Sequence, residues 1–236
     1  MNDYFQFRQF RVGHRRSSMK VGTDAVLLGA WADVTGVQTI LDVGTGSGVI
    51  ALMLAQRTSG EALINAVEID NEAAADAVEN FSESPWAGSI QLFNTSIQQF
   101  HPVQKYDLII SNPPYFINSL KPPHPSRKRA RHGDELKFDD LIATATRHLK
   151  TPTGRLALIL PVAESEVFAR KMSAHGFYLN RECTFRTRPH KPIERKLMEF
   201  SFGNGRLQTE ELCLYEHGEV WSASYKKLTA PFYLKG

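Results

Sequence analysis

Short apolar runs alternate with amphipathic or alanine-rich stretches along most of the chain. TILDVG (39–44), LINAVEID (63–70), SIQLFNTS (89–96), YDLIIS (106–111) and RLALILP (155–161) have the length and apolar content of buried strands. GSGVIALMLAQR (46–57), NEAAADAVENF (71–81) and KFDDLIATATRHLK (137–150) read as helices, the second rich in good helix formers. The stretch VAESEVFARKMSAHG (162–176) reads as another, stopped by Gly176. An early helix over TDAVLLGAWA (23–32) has Thr23 and Asp24 as start signals. Late in the chain, FYLNRECTFRT (177–187) and RKLMEFSFG (195–203) alternate and predict an antiparallel pair at one sheet edge.

Strands that alternate with helices predict a mostly parallel sheet covered on both faces. Five such strands with two late ones resemble the seven-stranded Rossmann-like methyltransferase sheet, an α/β fold with one antiparallel strand and helices on both faces. The 236 residues fit one domain, with residues 1–36 as an N-terminal extension and helix, and residues 121–135 as a proline-rich basic loop. With 42% hydrophobic and 22% charged residues the composition is that of a globular chain. No run approaches the roughly 18 apolar residues of a membrane span. The opening MNDYFQFRQFRVGHRR lacks the apolar core of a signal peptide, so the expectation is a cytoplasmic protein. Cys183 and Cys213 have no CxxC spacing and are expected to be free thiols, and no histidine spacing suggests a metal.

The net charge of +3 hides an uneven distribution. Residues 1–20 hold Arg8, Arg11, Arg15, Arg16 and Lys20 against Asp3 alone, and residues 121–132 hold Lys121, Arg127, Lys128, Arg129 and Arg131 with no acid. Removing those 10 from the 28 Lys+Arg leaves 18 against 24 acids, so the remaining body carries −6. An acidic body with two basic segments suggests a localised footprint for a polyanion; solvated flexible segments are the other reading. The stretch RTRPHKPIERK (186–196), which contains Arg188, is a further basic candidate, partly balanced by Glu194.

LDVGTGSGVI places Gly44, Gly46 and Gly48, with Thr45 among them, between a strand and a helix. Glycines there allow a tight turn and let a ligand approach outward-pointing N–H groups. The spacing is GxGxG, not the GxGxxG of dinucleotide sites. Asp42, two residues earlier, would repel a pyrophosphate but suits a ligand with an ammonium group, as at the methionine end of S-adenosylmethionine. Glu68, followed by Ile69, ends the second strand 20 residues after Gly48, where a carboxylate can accept both ribose hydroxyls. Ser96 and Ile97 end the third strand where an adenine would lie.

The fourth strand ends in ISNPPYF (110–116). Proline cannot continue a sheet ladder, and a plain turn would more usually carry Gly, Asp or Ser near the second proline. Asn112, Pro113, Pro114 and Tyr115 instead offer a fixed amide, stiff carbonyls and an aromatic face. The order DVGTGSG, AVEID, NPPYF resembles the S-adenosylmethionine-dependent amino-group methyltransferases, whose [DNS]PP[YFW] motif accompanies methylation of amide or base amino nitrogens. The opening FQFRQFRV…MKVGTDAVLLGAWA and the closing SYKKLTAPFYL resemble the tRNA (adenine-N6) methyltransferases that modify valine tRNA beside the anticodon, so the resemblance covers nearly the whole chain.

That resemblance implies catalytic roles for Asn112, Pro113, Pro114 and Tyr115, with Asn112 also bordering the cofactor. It places Lys20 and Thr23 near the methionine end; from the residues alone Thr23 is equally a helix cap. Many methyltransferases carry Asp where this chain has Ser96, which weakens the adenine contact there. The implied reaction moves a methyl group onto N6 of an adenine in RNA, most naturally tRNA, with Arg127, Lys128, Arg129, Arg131 and Arg188 on RNA phosphates, no metal, no membrane and a monomeric enzyme. Ribosomal RNA is an equally compatible polyanion. A protein glutamine methyltransferase shares the Asn-Pro-Pro-Tyr motif but carries a helical domain before the glycine turn, where this chain has about 40 residues. A DNA adenine methyltransferase needs a base-recognition region for which little length is spare. A binding protein that had lost the chemistry would be expected to have an altered motif.

Overall fold

The computed structural model describes residues 3–17, 19–114 and 136–234. A ribbon of β1 (Tyr4–Gln6) and β2 (Arg11–Gly13) leads to α1 (Thr23–Trp31). Strands and helices then alternate through β3 (Thr39–Val43), α2 (Val49–Arg57), β4 (Leu63–Glu68), α3 (Asn71–Ser82), β5 (Ile90–Asn94), β6 (Leu108–Ser111), α4 (Phe138–His148), β7 (Arg155–Pro161) and α5 (Val162–Ala174). The chain ends with β8 (Tyr178–Arg186), β9 (Arg195–Ser201), β10 (Gln208–Cys213), the hairpin of β11 (Tyr215–His217) and β12 (Val220–Trp221), and α6 (Ala223–Thr229).

The main sheet has the order β10-β8-β9-β7-β6-β3-β4-β5. Only β9 runs against its neighbours, β7 and β8. The seven expected strands are in place, with β9 inserted between β7 and β8, and an eighth, β10, extends the edge parallel to β8. Its sequence QTEELC buries only Leu212, so it carries none of the alternation that marks the others. A charged, exposed edge strand also discourages pairing with another chain.

Successive residues of the central strands reach opposite faces, and both faces are apolar. Ile40, Leu108, Ile110, Ala157 and Ile159 pack with α1 and α2 residues such as Leu27, Leu28, Leu52 and Met53. Leu41, Val43, Ile109, Leu156, Leu158 and Leu160 pack with Leu141 and Ile142 of α4 and Phe168 and Met172 of α5. Two-sided burial is why RLALILP is an unbroken apolar run instead of an alternating one. Asp70 caps α3 by accepting the Ala73 N–H at 2.8 Å. Gly176 closes α5 with φ of 81°, as expected. The cap of α1 differs from the reading: Gly22 holds that position without a side-chain bond, and Asp24 pairs with Arg195 of β9 at 2.9 Å.

The N-terminal ribbon is held by aromatic packing. Phe7 is fully buried, with Phe10 stacked at 4.6 Å and Tyr233 at 6.1 Å between centroids. Trp86 meets Phe10 edge-on at 5.9 Å. The Arg8 N–H donates to the Phe232 carbonyl at 2.8 Å, so the two ends of the chain meet beside α6.

Candidate active site

Chain order reverses at β3, with β4 and β5 on one side and β6 and β7 on the other. Ligand crevices of open α/β sheets form at such a point, outside the carboxyl ends of the strands. Register brings those ends level: Asp42 lies opposite Ala66 and Ile110, and Glu68 opposite Asn94. The glycine turn, Glu68, Ser96 and Asn112 therefore all leave the sheet along one rim.

The turn itself is built from three left-handed glycines, Gly44, Gly46 and Gly48, with φ of 72°, 59° and 87°. Its first N–H groups, of Gly44 and Thr45, donate to the Val67 carbonyl at 2.9 and 3.1 Å, tying the turn to β4. Gly48 is the packing glycine, since a Cβ there would stand 2.3 Å from Phe81 of α3. Gly46 is the open one: a Cβ there would meet nothing within 4 Å. Helix α2 starts directly after, its N–H groups facing the rim.

Two carboxyls flank the turn. Asp42, 1% exposed, accepts the Thr45 hydroxyl on Oδ2 at 2.6 Å, while Oδ1 is buried with no hydrogen-bond partner of ordinary geometry. Burial pushes its carboxyl up to about 7; the Thr45 bond opposes that rise and the nearby Glu68 charge adds to it. Glu68 is buried too and raised for the same reason, opposed by three backbone donors, Asp70, Gly46 and Ile69. Its Oε2 accepts the Gly46 N–H and its Oε1 the Asp70 N–H, each at 2.8 Å. The carboxylate keeps acceptor capacity for a hydroxyl donor.

Ser96 is buried at the end of the next connection and Ile97 is partly buried against the α4–α5 side of the core, whereas Ile69 is exposed. At β6, the Ser111 hydroxyl donates to the Val43 carbonyl at 2.8 Å, locking the last strand residue to β3 beside the glycine turn. Asn112 follows half-buried, Pro113 buried and Pro114 exposed. Lys20 is exposed ahead of α1, and Thr23 opens that helix. Tyr115, Arg127, Lys128, Arg129 and Arg131 lie outside the described residues. Arg188 stands 5.2 Å over the Tyr215 ring and donates to the Gly218 carbonyl at 2.5 Å, which holds it on the β11–β12 hairpin.

The N-terminal arginines are largely committed within the protein. Arg8 donates to the Tyr233 carbonyl at 2.5 Å, Arg11 pairs with Glu83 at 2.9 Å, Arg15 with Asp3 at 3.4 Å, and Arg16 with Asp76 and Glu79 at 3.1 and 3.0 Å. Of these, Arg11 and Arg16 tie the N-terminal segment to α3 and its C-cap Glu83. The sequence reading missed Asn80, Asp76 and Asn94. Asn94 donates to the Glu68 carbonyl at 2.9 Å and fixes the end of β4. The signal was present in NEAAADAVENF, where Asp76 and Asn80 fall on the same helical face as Ala73 and Ala77, and all four are buried. Among the described residues no group of three His, Cys, Asp or Glu is disposed to hold a metal, and no helix is long and apolar enough to cross a membrane. Cys183 and Cys213 are free, as expected.

Residues 17–172 match the family described as Methyltransferase small domain. The chain is 42% identical over 231 residues to a protein of Pseudoalteromonas translucida named tRNA1(Val) (adenine(37)-N6)-methyltransferase, covering 98% of each. A protein of the same name from Tolumonas auensis is 43% identical over 231 residues, covering 98% of this chain and 97% of its own. Among solved structures, a predicted O-methyltransferase of Agrobacterium tumefaciens superposes with a TM-score of 0.64 at 20% identity, covering 89% of this chain and 96% of that one. A glycopeptide N-methyltransferase solved with S-adenosylmethionine gives 0.52 at 12% identity, covering 70% and 87%. At these identities the structural likeness is one of fold.

Proposed function

The chain belongs to the methyltransferase small-domain family, among the tRNA1(Val) (adenine(37)-N6)-methyltransferases, and we propose that it carries out the reaction their name describes. It transfers a methyl group from S-adenosylmethionine to the exocyclic N6 of the adenine beside the anticodon of a valine tRNA. The observation that carries this reading is the placement of the Asn112-Pro113 corner next to the glycine turn, on adjacent strands β6 and β3 locked by the Ser111–Val43 bond.

The residues at the rim fit S-adenosylmethionine. Gly46 leaves open space where a side chain would stand. The buried Asp42 Oδ1 has no hydrogen bond of ordinary geometry, the Ala51 N–H at the start of α2 being its weak backbone donor, and an ammonium group would complete its bonding. Glu68 stands at the strand end from which a carboxylate accepts ribose hydroxyls, and Ser96 and Ile97 border the place of the adenine. When bound, S-adenosylmethionine supplies an electrophilic methyl carbon on a sulfonium.

The chain's part in the chemistry is to present the nucleophile. An adenine N6 is planar and conjugated with its ring, so its lone pair is poorly available. The Asn112 side-chain oxygen and the Pro113 carbonyl each accept one N6–H, which draws the nitrogen towards tetrahedral geometry. Pro113 and Pro114 stiffen the corner, so both acceptors are oriented before the substrate arrives; one such preorganised group is typically worth about 10²–10³ in turnover. Tyr115 stacks on the base, contributing on the order of 1–3 kcal/mol. No strong general base is needed, because the N6 proton becomes acidic only once the methyl group has transferred. The base must be unstacked to reach the corner, and Arg127, Lys128, Arg129, Arg131 and Arg188 hold flanking phosphates with little sequence selection. The reading requires no metal and no second chain, and fits one domain acting in the cytoplasm.

The decisive experiment is transfer of a labelled methyl group by the purified protein into total tRNA, ribosomal RNA and DNA, with mass spectrometry of the modified nucleoside. N6-methyladenosine confined to valine tRNA is the expected result. Label in ribosomal RNA or DNA would replace this reading by the corresponding alternative.

A further inference from the structure

Helix α3 carries two buried polar side chains one turn apart, and together they join the N-terminal segment to the glycine turn. Asp76 and Asn80 are each 3% exposed, and i, i+4 spacing puts them on one face. Asp76 Oδ2 accepts the Arg16 N–H at 3.0 Å, the Ser17 N–H at 2.7 Å and the Ser17 hydroxyl at 2.8 Å, and its Oδ1 accepts from the Arg16 guanidinium at 3.1 Å. Asn80 uses its whole amide. Oδ1 accepts the Gly13 N–H at 2.7 Å, and Nδ2 donates to the Gly13 carbonyl at 2.9 Å and to the Ser47 carbonyl at 2.8 Å. Ser47 lies between the open Gly46 and the packing Gly48, and Gly48 rests on Phe81, the residue after Asn80.

Neither side chain is explained by helix stability, since Asp and Asn are poor helix formers, nor by the apolar core, where each costs free energy unless fully bonded. We propose that Asp76 and Asn80 are positioning residues for cofactor binding: the segment 13–17, clamped on α3, holds Asn80 in the rotamer that fixes the Ser47 carbonyl and hence the turn. The proposal rests on the methyltransferase reading of the turn. The N-terminal segment is then a support of the cofactor site, and Arg16 serves that support.

The test compares wild type with Asn80→Asp, Asp76→Asn, Ser17→Ala and Glu83→Gln. Asn80→Asp keeps the shape but removes both donated bonds. Ser17→Ala removes one bond from the far end of the clamp and spares the helix. Glu83→Gln alters a separate contact, between the C-cap of α3 and Arg11 of the ribbon, which does not reach the turn. S-Adenosylmethionine affinity is read by calorimetry, KM and kcat by methyl transfer to tRNA, and folding by thermal melts. Asn80→Asp is expected to raise the cofactor Kd and KM about tenfold, the scale of one lost buried hydrogen bond, with kcat within about twofold. Asp76→Asn and Ser17→Ala are expected to shift the same two quantities less, and Glu83→Gln neither. Because the residues act on one path, combining Asp76→Asn with Asn80→Asp should add little to Asn80→Asp alone. If Asn80→Asp does not fold, Ser17→Ala and Asp76→Asn decide. Lower melting temperatures with wild-type Kd and KM would overturn the proposal, leaving the clamp as a fold contact. Wild-type protein that binds no S-adenosylmethionine would overturn the underlying reading instead.

Discussion

If Asp42 receives the ammonium group of S-adenosylmethionine, as proposed, cofactor affinity should depend on pH with a sign that follows from the burial of its carboxyl. In the ligand-free protein its carboxyl is raised from the usual 3.8 to about 7, burial being the main cause. The folded state therefore holds a proton that the unfolded chain has already lost, and the carboxyl lowers stability as pH rises from about 4 to 7. The three-unit gap corresponds to about 4 kcal/mol of disfavoured ionisation once the pH exceeds 7. An ammonium group beside Asp42 favours the ionised form, so binding should release a proton. If the bound state returns the carboxyl to below 5, Kd should fall roughly 20–30-fold between pH 5.5 and 7.5, following the same linkage. The upper limit of the window is the ligand's own amine, which loses its charge near 7.7–8.0, the ordinary range of an α-amino group. Calorimetric titration of S-adenosylmethionine in two buffers of different ionisation enthalpy reads both quantities. The expected result is close to one proton released at pH 6 and roughly half a proton taken up by the ligand's amine at pH 8. Asp42→Asn should bind more weakly at pH 7.5 and flatten the profile. A flat wild-type profile with no proton release would refute the ammonium contact. A slope that persists in Asp42→Asn but vanishes in Glu68→Gln would move the linkage to the second raised carboxyl.

Gly48→Ala should cost roughly 2–4 kcal/mol of folding stability, because its Cβ would overlap Phe81 at a left-handed φ. Gly46→Ala should cost only about 1–2 kcal/mol of backbone strain, yet lower S-adenosylmethionine affinity at least about tenfold; paired thermal melts and titrations separate the two glycines, and the opposite ranking would refute their assignment. Asn112→Ala should reduce turnover about 10²–10³-fold while leaving most cofactor affinity; a large loss of affinity with unchanged kcat would place Asn112 in cofactor binding alone. Replacing Arg127, Lys128, Arg129 and Arg131 together by Ala should weaken RNA binding and flatten the slope of log affinity against log salt by about 3, as for four lost contacts on a single strand; normal methylation across salt concentrations would remove the loop from the RNA surface.

The elements legible in the sequence were those whose burial left a periodic trace. β7 is apolar at almost every position because both of its faces are covered, and its bounds, Arg155–Pro161, coincide with the run that predicted it. β10 left no such trace: an edge strand with four exposed residues in a row looks like a loop, and only its pairing with β8 makes it a strand. The three-residue strands of the ribbon were hidden for another reason. Phe5, Phe7, Phe10 and Val12 are spaced for packing against Trp86 and Tyr233, and no local pattern names partners some 75 and 225 residues away.

At the site, glycines, prolines and strand-end carboxyls were legible because each restricts the backbone or places a charge where few alternatives exist. Net charge was a weaker guide. The arginines of residues 8–16 looked like half of a polyanion footprint, but Arg11 and Arg16 pair with acids of α3 and its C-cap about 60–70 residues further on, Arg15 pairs with Asp3, and Arg8 donates to the Tyr233 carbonyl; charge counted along the chain cannot see pairs formed across it. Exposed pairs of this kind are worth at most about 1 kcal/mol each, so stability alone is a weak reason to collect them. The pair that reaches inside, Arg16 with the buried Asp76, is continuous with the hydrogen bonds that run through Ser17 and along α3 to Asn80 and Ser47. On the proposed reading, the polar residues on the buried face of α3 are a better pointer to the cofactor turn than the basic residues they hold. A buried donor or acceptor must be answered by a specific partner, whereas an exposed charge can be answered by water.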